Sequence, residues 1–398
     1  MAGIHQECRL VFDNKPGTSN KDLQDALRRR KPLSESSAAL VTANNEFAFK
    51  LYAALGGTDS MFFSPTSLLT AWAMVREGAL GETATEIDEI LLPLANDVRR
   101  ESFKELCERT SGQAQRPYEL RMANALWARS KASEEFMKTI CNTYRGEFGA
   151  IDVARINAWG SKHTNGKIPE MVPPTSITAL TRFILTNAVY FKGTWVFQFP
   201  AENTREQDFR TDDGRTTSVQ MMHLKSYFNY GESDGVQVLE LPYVGKDLAM
   251  ELFLPRCDVN SKPGLDAQRL SKLHENADII PREVDVILPR FKLNTSYELI
   301  DVLRKMGLVT AFSPAADFSG INNGLEPLFV DKVLHSAFVE TNEKGTKAAA
   351  ATSIIGATLG ASHKPIQFIA DHPFVFAIVE RASGNILFLG RLSNPIKA

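Results

Sequence analysis

The sequence predicts an α+β domain in which helices come first and strands later. Three observations lead there. Apolar residues recur at helical spacing through the first third of the chain. From Phe183 onward, short apolar or alternating runs are separated by turn residues. No repeat or linker divides the 398 residues. Hydrophobic residues make up 43% of the chain, ample for a large core. No apolar run reaches the roughly 18 to 20 residues needed to cross a bilayer. The 45 Lys and Arg residues against 47 Asp and Glu leave a net charge of −2, so nothing global attracts nucleic acid or an anionic membrane.

Residues 1–35 read as a disordered, polar extension with a short basic run at Arg28–Lys31, and residues 36–398 as one domain. The extension lacks the continuous apolar stretch of a signal peptide, which by sequence alone predicts a cytoplasmic protein. From Ser36, Leu40, Phe47, Leu51 and Leu55 share a helical face that Gly56-Gly57 ends. Ser64-Pro65 caps and opens a second helix closed by Gly78. Thr83 and Glu86 have the spacing of a capping box for a third. Helices at about 97–110 and 133–145 flank an extended run, Tyr118 to Ala128, and a further helix surrounds Asn157. A long apolar strand follows, Phe183 to Phe191. Residues 205–255 read as a meander whose strands Val236–Tyr243 and Leu248–Leu254 turn across Val244–Asp247. The spacing then predicts a helix near 264–276, a strand at 283–293, a helix from Tyr297 to Met306 and a strand from Lys332 to Thr341. The last strands are Pro365–Ala370, Pro373–Glu380 and Asn385–Leu392.

Most motifs that could carry chemistry fail on inspection. Gly231-Glu232-Ser233-Asp234-Gly235 has the form of a nucleophile elbow, but that motif needs a helix after the serine and here a strand follows. Asp234-Gly235 is instead a hairpin turn. Gly160 to Lys167 resembles a phosphate loop, yet five residues separate its glycines and Ile168 replaces the hydroxyl that would hold magnesium. Cys8, Cys107, Cys141 and Cys257 are too dispersed for a disulfide framework or a metal site, and His274-Glu275 lacks a second histidine at the required spacing. His335, mid-strand, reads as a buried structural histidine. Acidic residues interrupt the cations of helix 97–110, so no polyanion site is expected there, and Asn294-Thr295-Ser296 is the single glycosylation sequon.

The segment Glu343 to Lys364 stands apart. Between Lys347 and His363 it carries no charge and no large aromatic. A linker or an Ala-rich helix would have this composition, but only three strands follow, too little for another domain. As a strand, its alternation places Thr346, Ala348, Ala350, Thr352, Ile354 and Gly356 on one face, so that face could enter a sheet without burying an ion.

Glu343-Lys344-Gly345-Thr346 followed by Ala348, Ala349, Ala350 and Ala351 resembles the hinge of the serpins, protease inhibitors whose exposed loop enters a β-sheet after cleavage. Phe63–Ser67, Asn157, Thr164-Asn165-Gly166-Lys167-Ile168, Leu185–Trp195, Leu239–Tyr243, Leu288–Phe291, His335, Ala370–Phe374 and Gly390-Arg391 are similar to family signatures in family order, over roughly 36–397. The resemblance implies three β-sheets with surrounding helices and an exposed reactive-centre loop at about 343–364. It implies a polar cluster of Ser64, Ser67, Asn187 and His335 beneath the main sheet, and a group at the top of that sheet formed by Trp195 with an Arg290–Glu343 ion pair. The family's spacing from Glu343 places the scissile bond at Leu359-Gly360, with Ile355-Gly356 as a second candidate. Leucine there favours chymotrypsin- or elastase-like serine proteases, trapped as a covalent 1:1 complex; cysteine proteases that accept leucine are a second partner class. Lys347 departs from the acidic residue of many inhibitory members. The alternative is a non-inhibitory serpin: a carrier, chaperone or storage protein. No cofactor is expected, the molecule should be a monomer prone to loop-sheet polymers, and the many secreted members set an extracellular location against the missing signal peptide.

Overall fold

The first helix starts at its cap. Ser34 Oγ accepts a hydrogen bond from the Ser37 N–H at 3.2 Å, and α1 runs Glu35–Leu55 until Gly56, at φ +57°, turns the chain out of the helix. The first helix therefore starts just before Ser36. The structure, a computed structural model, describes residues 34–111, 116–256, 265–276, 278–345 and 364–396. Thr346, Ala348, Ala349, Ala350, Ala351, Leu359 and Gly360 lie outside the described residues, as do the extension up to residue 33, Cys8 and Cys257.

β1 (Met61–Phe63) leads into α2 (Pro65–Arg76), followed by α3 (Gly81–Ile90) and α4 (Asn96–Ser111). Next come β2 (Glu119–Ala128), α5 (Glu134–Tyr144), β3 (Glu147–Ala150), α6 (Val153–His163) and β4 (Phe183–Lys192). The meander is β5 (Arg205–Arg210), β6 (Thr216–Ser233), β7 (Val236–Pro242) and β8 (Leu248–Pro255). Then follow α7 (Ala267–Asn276), β9 (Ile280–Pro289), β10 (Phe291–Glu298), α8 (Ile300–Lys305), α9 (Ser319–Asn322) and β11 (Lys332–Thr341). After residue 364 come β12 (Ile366–Ile369), β13 (Phe374–Glu380) and β14 (Asn385–Leu392).

Among the described residues these strands form two ladders. A five-stranded sheet has the order β10-β11-β4-β2-β3, and a nine-stranded one the order β1-β14-β13-β8-β7-β6-β9-β12 with β5 on β6. The 18-residue β6 pairs with β5, β7 and β9 along different parts of its length, so it joins two of the three implied sheets into one continuous ladder. Helices α1 and α2 pack on β14, and α6 packs on β2 and β4. Leu68, Leu69, Trp72, Met74 and Val75 of α2 are all buried. At about 1.5 to 3 kcal/mol for each such side chain, this one helix anchors a large part of the core.

Three expectations need correction. The residues of the Thr83–Glu86 capping box do not cap a helix. Their helix begins at Gly81 without a side-chain cap, Thr83 Oγ1 accepts the Asp317 N–H at 2.9 Å, and Glu86 accepts from the Val309 and Thr310 N–H groups at 2.6 and 2.7 Å. Orphan donors of a distant segment have claimed both side chains. The strand expected at 283–293 is two strands in different sheets, parted at Arg290. Burial changes phase there, from Val284, Val286 and Leu288 to Phe291 and Leu293. Finally, Tyr297 and Glu298 continue β10 instead of opening a helix. Tyr297 pairs in register with His335 and stacks on its ring, so strand pairing defers the helix to Ile300.

Candidate functional site: the ladder between β4 and β11

β4, the central strand of the smaller sheet, runs parallel to its neighbour β11, a pairing slightly weaker per residue than the antiparallel one. Their ladder extends from Lys332↔Ile184 to Phe338↔Tyr190 and stops, although β11 continues to Thr341 and β4 to Lys192. The seam between β4 and β11 is therefore closed from Lys332 to Phe338 and open beyond it, while β10 and β2 go on pairing with their outer edges.

His335 sits in the closed part, fully buried. Its ring is fixed by a donor that cannot change roles. The Ser64 backbone N–H points at Nε2 at 3.1 Å, so Nε2 accepts and Nδ1–H must donate to Asn187 Oδ1. Asn187 Nδ2 is then free to donate to Ser67 Oγ at 2.6 Å and to Asn124 Oδ1. The opposite rotation of the Asn124 amide would let its NH2 donate to the Ala123 and Ser67 carbonyls at 3.3 Å but would set it against the Asn187 NH2, which His335 fixes, so the orientation with Oδ1 toward Asn187 keeps the Asn187–Asn124 bond. Ser64 Oγ accepts the Ser67 N–H at 3.2 Å as the cap of α2 and donates to the Leu387 carbonyl at 2.7 Å. One chain of bonds thus crosses α2, β2, β4, β11 and β14. Burial lowers the His335 pKa to about 3, leaving a neutral ring that serves as a bonding element.

At the open end β11 gives way to a tight turn. The Asn342 N–H donates to the Gly345 carbonyl and the Gly345 N–H to the Asn342 carbonyl, at 3.2 and 3.0 Å. Gly345 also forms a bridge to Thr194. Its φ of +88° disfavours any side chain, and a Cβ there would come within 2.3 Å of the Gly193 carbonyl oxygen, so glycine is required on two grounds. Trp195 is buried, stacks on Tyr243 at 4.5 Å, and donates from Nε1 to the Asn342 carbonyl at 3.0 Å. The Glu343 carboxylate accepts from Arg290 Nε at 2.7 Å, from Arg290 Nη2 and from Thr204 Oγ1. Burial pushes the Glu343 pKa up, but these donors together outweigh it and hold the carboxyl below its usual range.

The residues expected in two groups thus lie in two groups: Ser64, Ser67, Asn187 and His335 at mid-sheet, and Trp195, Arg290 and Glu343 at the open end. Sequence reasoning missed Asn124 and Thr204. Asn124 left a signal, being the one polar residue in the alternation Leu120, Met122, Asn124, Leu126; Thr204 left none, because its role depends on a fold that brings residues 204 and 343 together. His274 does lie against a carboxylate, Glu251 Oε2 at 2.8 Å, but the pair ties α7 to β8, and the ring's other nitrogen meets the Gly384 carbonyl at 2.9 Å. Ser233 ends β6, and Asp234 and Gly235 both take positive φ, the signature of a hairpin turn.

The chain matches the family model described as Serpin (serine protease inhibitor) over residues 42–395. It is 40% identical over 373 residues to an uncharacterised serpin-like protein of Thermococcus kodakarensis, which covers 89% of this chain and 86% of the relative. Over 380 residues it is 38% identical to the leukocyte elastase inhibitor of Bos taurus, covering 89% of this chain and 99% of that protein. The fold is similar to the crystal structure of Serpin48 from the insect Tenebrio molitor, with a TM-score of 0.80 at 29% identity over 92% of this chain and 100% of that one. The chain belongs to the serpin family.

Proposed function

We propose that the protein irreversibly inhibits chymotrypsin- or elastase-like serine proteases by offering the loop that follows Gly345 as a substrate. The protease serine attacks the loop and forms an acyl-enzyme. Before water releases it, the freed loop enters the five-stranded sheet between β4 and β11 and drags the protease with it. The observation that carries this reading is the parallel ladder that ends at Phe338↔Tyr190 while both strands run on. A strand that reversed direction after the turn at 342–345 and entered that gap would run antiparallel to both neighbours. One parallel ladder would become two antiparallel ones, a favourable exchange held off only by a barrier.

Sequence and kinship support the same reading. The roughly 14 residues from Thr346 to Leu359 would span about 46 Å as a strand, enough to cross the domain. The similarity to a leukocyte elastase inhibitor agrees with Leu359 as the residue placed in an apolar primary pocket. The hinge is Glu343, Gly345, Thr346 and Ala348 to Ala351; the partner is one protease per molecule, serine-type first and leucine-accepting cysteine proteases second. Mixing the protein with chymotrypsin and with trypsin, followed by denaturing gels and fragment sequencing, tests the proposal. The expected result is an SDS-resistant complex with chymotrypsin and a released fragment that begins at Gly360. Cleavage with no complex would make the protein a substrate and return the non-inhibitory alternative.

A further inference from the structure

The last rung of the β4–β11 ladder is an aromatic pair. Tyr190 and Phe338 are in register, and their rings stack with centroids 5.9 Å apart and planes 12° from parallel. Two cations converge on the same phenyl ring: Lys292 Nζ from β10 at 5.4 Å and Lys167 Nζ at 5.1 Å from its centroid.

Lys167 belongs to the stretch Thr164–Ile168, which has no part in the chemistry considered so far. The stretch is built as a rigid turn. Thr164 Oγ1 donates to the Gly160 carbonyl at 2.7 Å and accepts the Ile168 N–H at 3.0 Å, while Asn165 and Gly166 take φ of +53° and +75°. Asn165 Nδ2 ties it to Glu119 of β2 at 2.8 Å, and the buried Ile168 joins Tyr190, Phe338 and Trp159 in one apolar cluster. The exposed Lys167 side chain is therefore held over the place where the two strands stop pairing.

We propose that the Tyr190–Phe338 stack, covered by Lys167 from the turn after α6 and by Lys292 from β10, is the clasp that sets how fast β4 and β11 part. It thereby sets how the protein divides between trapping a protease and being cut as a substrate. The inference rests on the loop-insertion reading. Neighbouring strands lie about 4.8 Å apart, and a strand entering between them would double that distance, too far for the rings to stack. The stack stabilises the closed sheet and contributes nothing once a strand has entered, so weakening it should lower the barrier and leave the product unchanged.

The test uses the full chain and a labelled peptide of residues 346–359, whose uptake is followed by fluorescence anisotropy. Lys167→Met keeps an apolar stem on an exposed site and removes only the cation; uptake should quicken roughly 2- to 5-fold. Phe338→Leu, which removes the stack, should quicken it roughly 3- to 10-fold. In Lys167→Met the native form should unfold at a lower temperature while the loop-cleaved form keeps the wild-type value; in Phe338→Leu, which also thins the cluster with Ile168 and Trp159, the native form should lose more than the cleaved form. Equal loss in native and cleaved forms, or unchanged uptake, would show ordinary core packing and overturn the clasp alone. If the wild type neither takes up the peptide nor gains stability on cleavage, the insertion reading itself fails, and the two failures are distinct.

Discussion

Proton placement at the centre of the five-stranded sheet follows from a single backbone donor. Because the Ser64 N–H can only donate, His335 must be neutral with its proton on Nδ1, and the amides of Asn187 and Asn124 are oriented in turn. The folded-state pKa of about 3 lies below the ordinary histidine value of 6.5. Between those values the unfolded chain binds the proton and the folded one does not. Stability from this group is thus complete above about pH 6.5 and falls with pH below it, at most about 1.4 kcal/mol per unit. Urea midpoints of the native form at pH 7 and pH 5 should differ in the wild type, and the difference should shrink in His335→Gln; an equal difference in both would refute this linkage. Asn187→Ala would strand the buried Nδ1–H and should cost about 1 to 3 kcal/mol, read from the same midpoints. At this scale His335 was legible because a histidine breaks an apolar strand, Asn187 was implied only by the family resemblance, and Asn124 was missed although it interrupts its alternation. The sequence was silent on Thr204, an ordinary surface-type residue until the fold brings Glu343 to it.

The element that matters most is the turn at 342–345, and its construction can be probed at one atom. Gly345→Ala places a Cβ against the backbone of residues 193–195 and forces an unfavourable φ, which should cost more than about 1 kcal/mol and detach the turn from Thr194. Limited proteolysis should then cut the loop faster while the yield of protease complex falls; unchanged cutting and unchanged yield would count against a hinge role. Elements were legible where local chemistry and tertiary demand agreed. Ser64 caps α2 as its position suggests, and the long apolar run became β4. Disagreement came where a distant segment competed. Thr83 and Glu86 have capping-box spacing, but their oxygens serve the backbone at 309–317. The break at Arg290 was present in the alternation as a change of phase, visible only when 283–293 is tested for two strands instead of one.

For the whole molecule, the order of helices and strands was enough for the fold class, because burying one face of each element leaves few alternatives for a chain of this size. The continuity of the nine-stranded sheet through β6 was not legible, since it depends on which of three partners each part of that strand meets. The neutral segment able to enter a sheet was legible in its own composition and alternation; the family resemblance added the polar cluster beneath the main sheet and the group at its top, and the parallel pairing of β4 with β11 came only with the structure. The claim that unites these scales is that the present fold lies above a more stable state containing one more strand. Thermal unfolding of the intact and the loop-cleaved protein, followed by circular dichroism, tests it most directly. The account predicts that the cleaved form, with residues 346–359 in the sheet, unfolds well above the intact form. A cleaved form that unfolds at the same temperature or lower would contradict it.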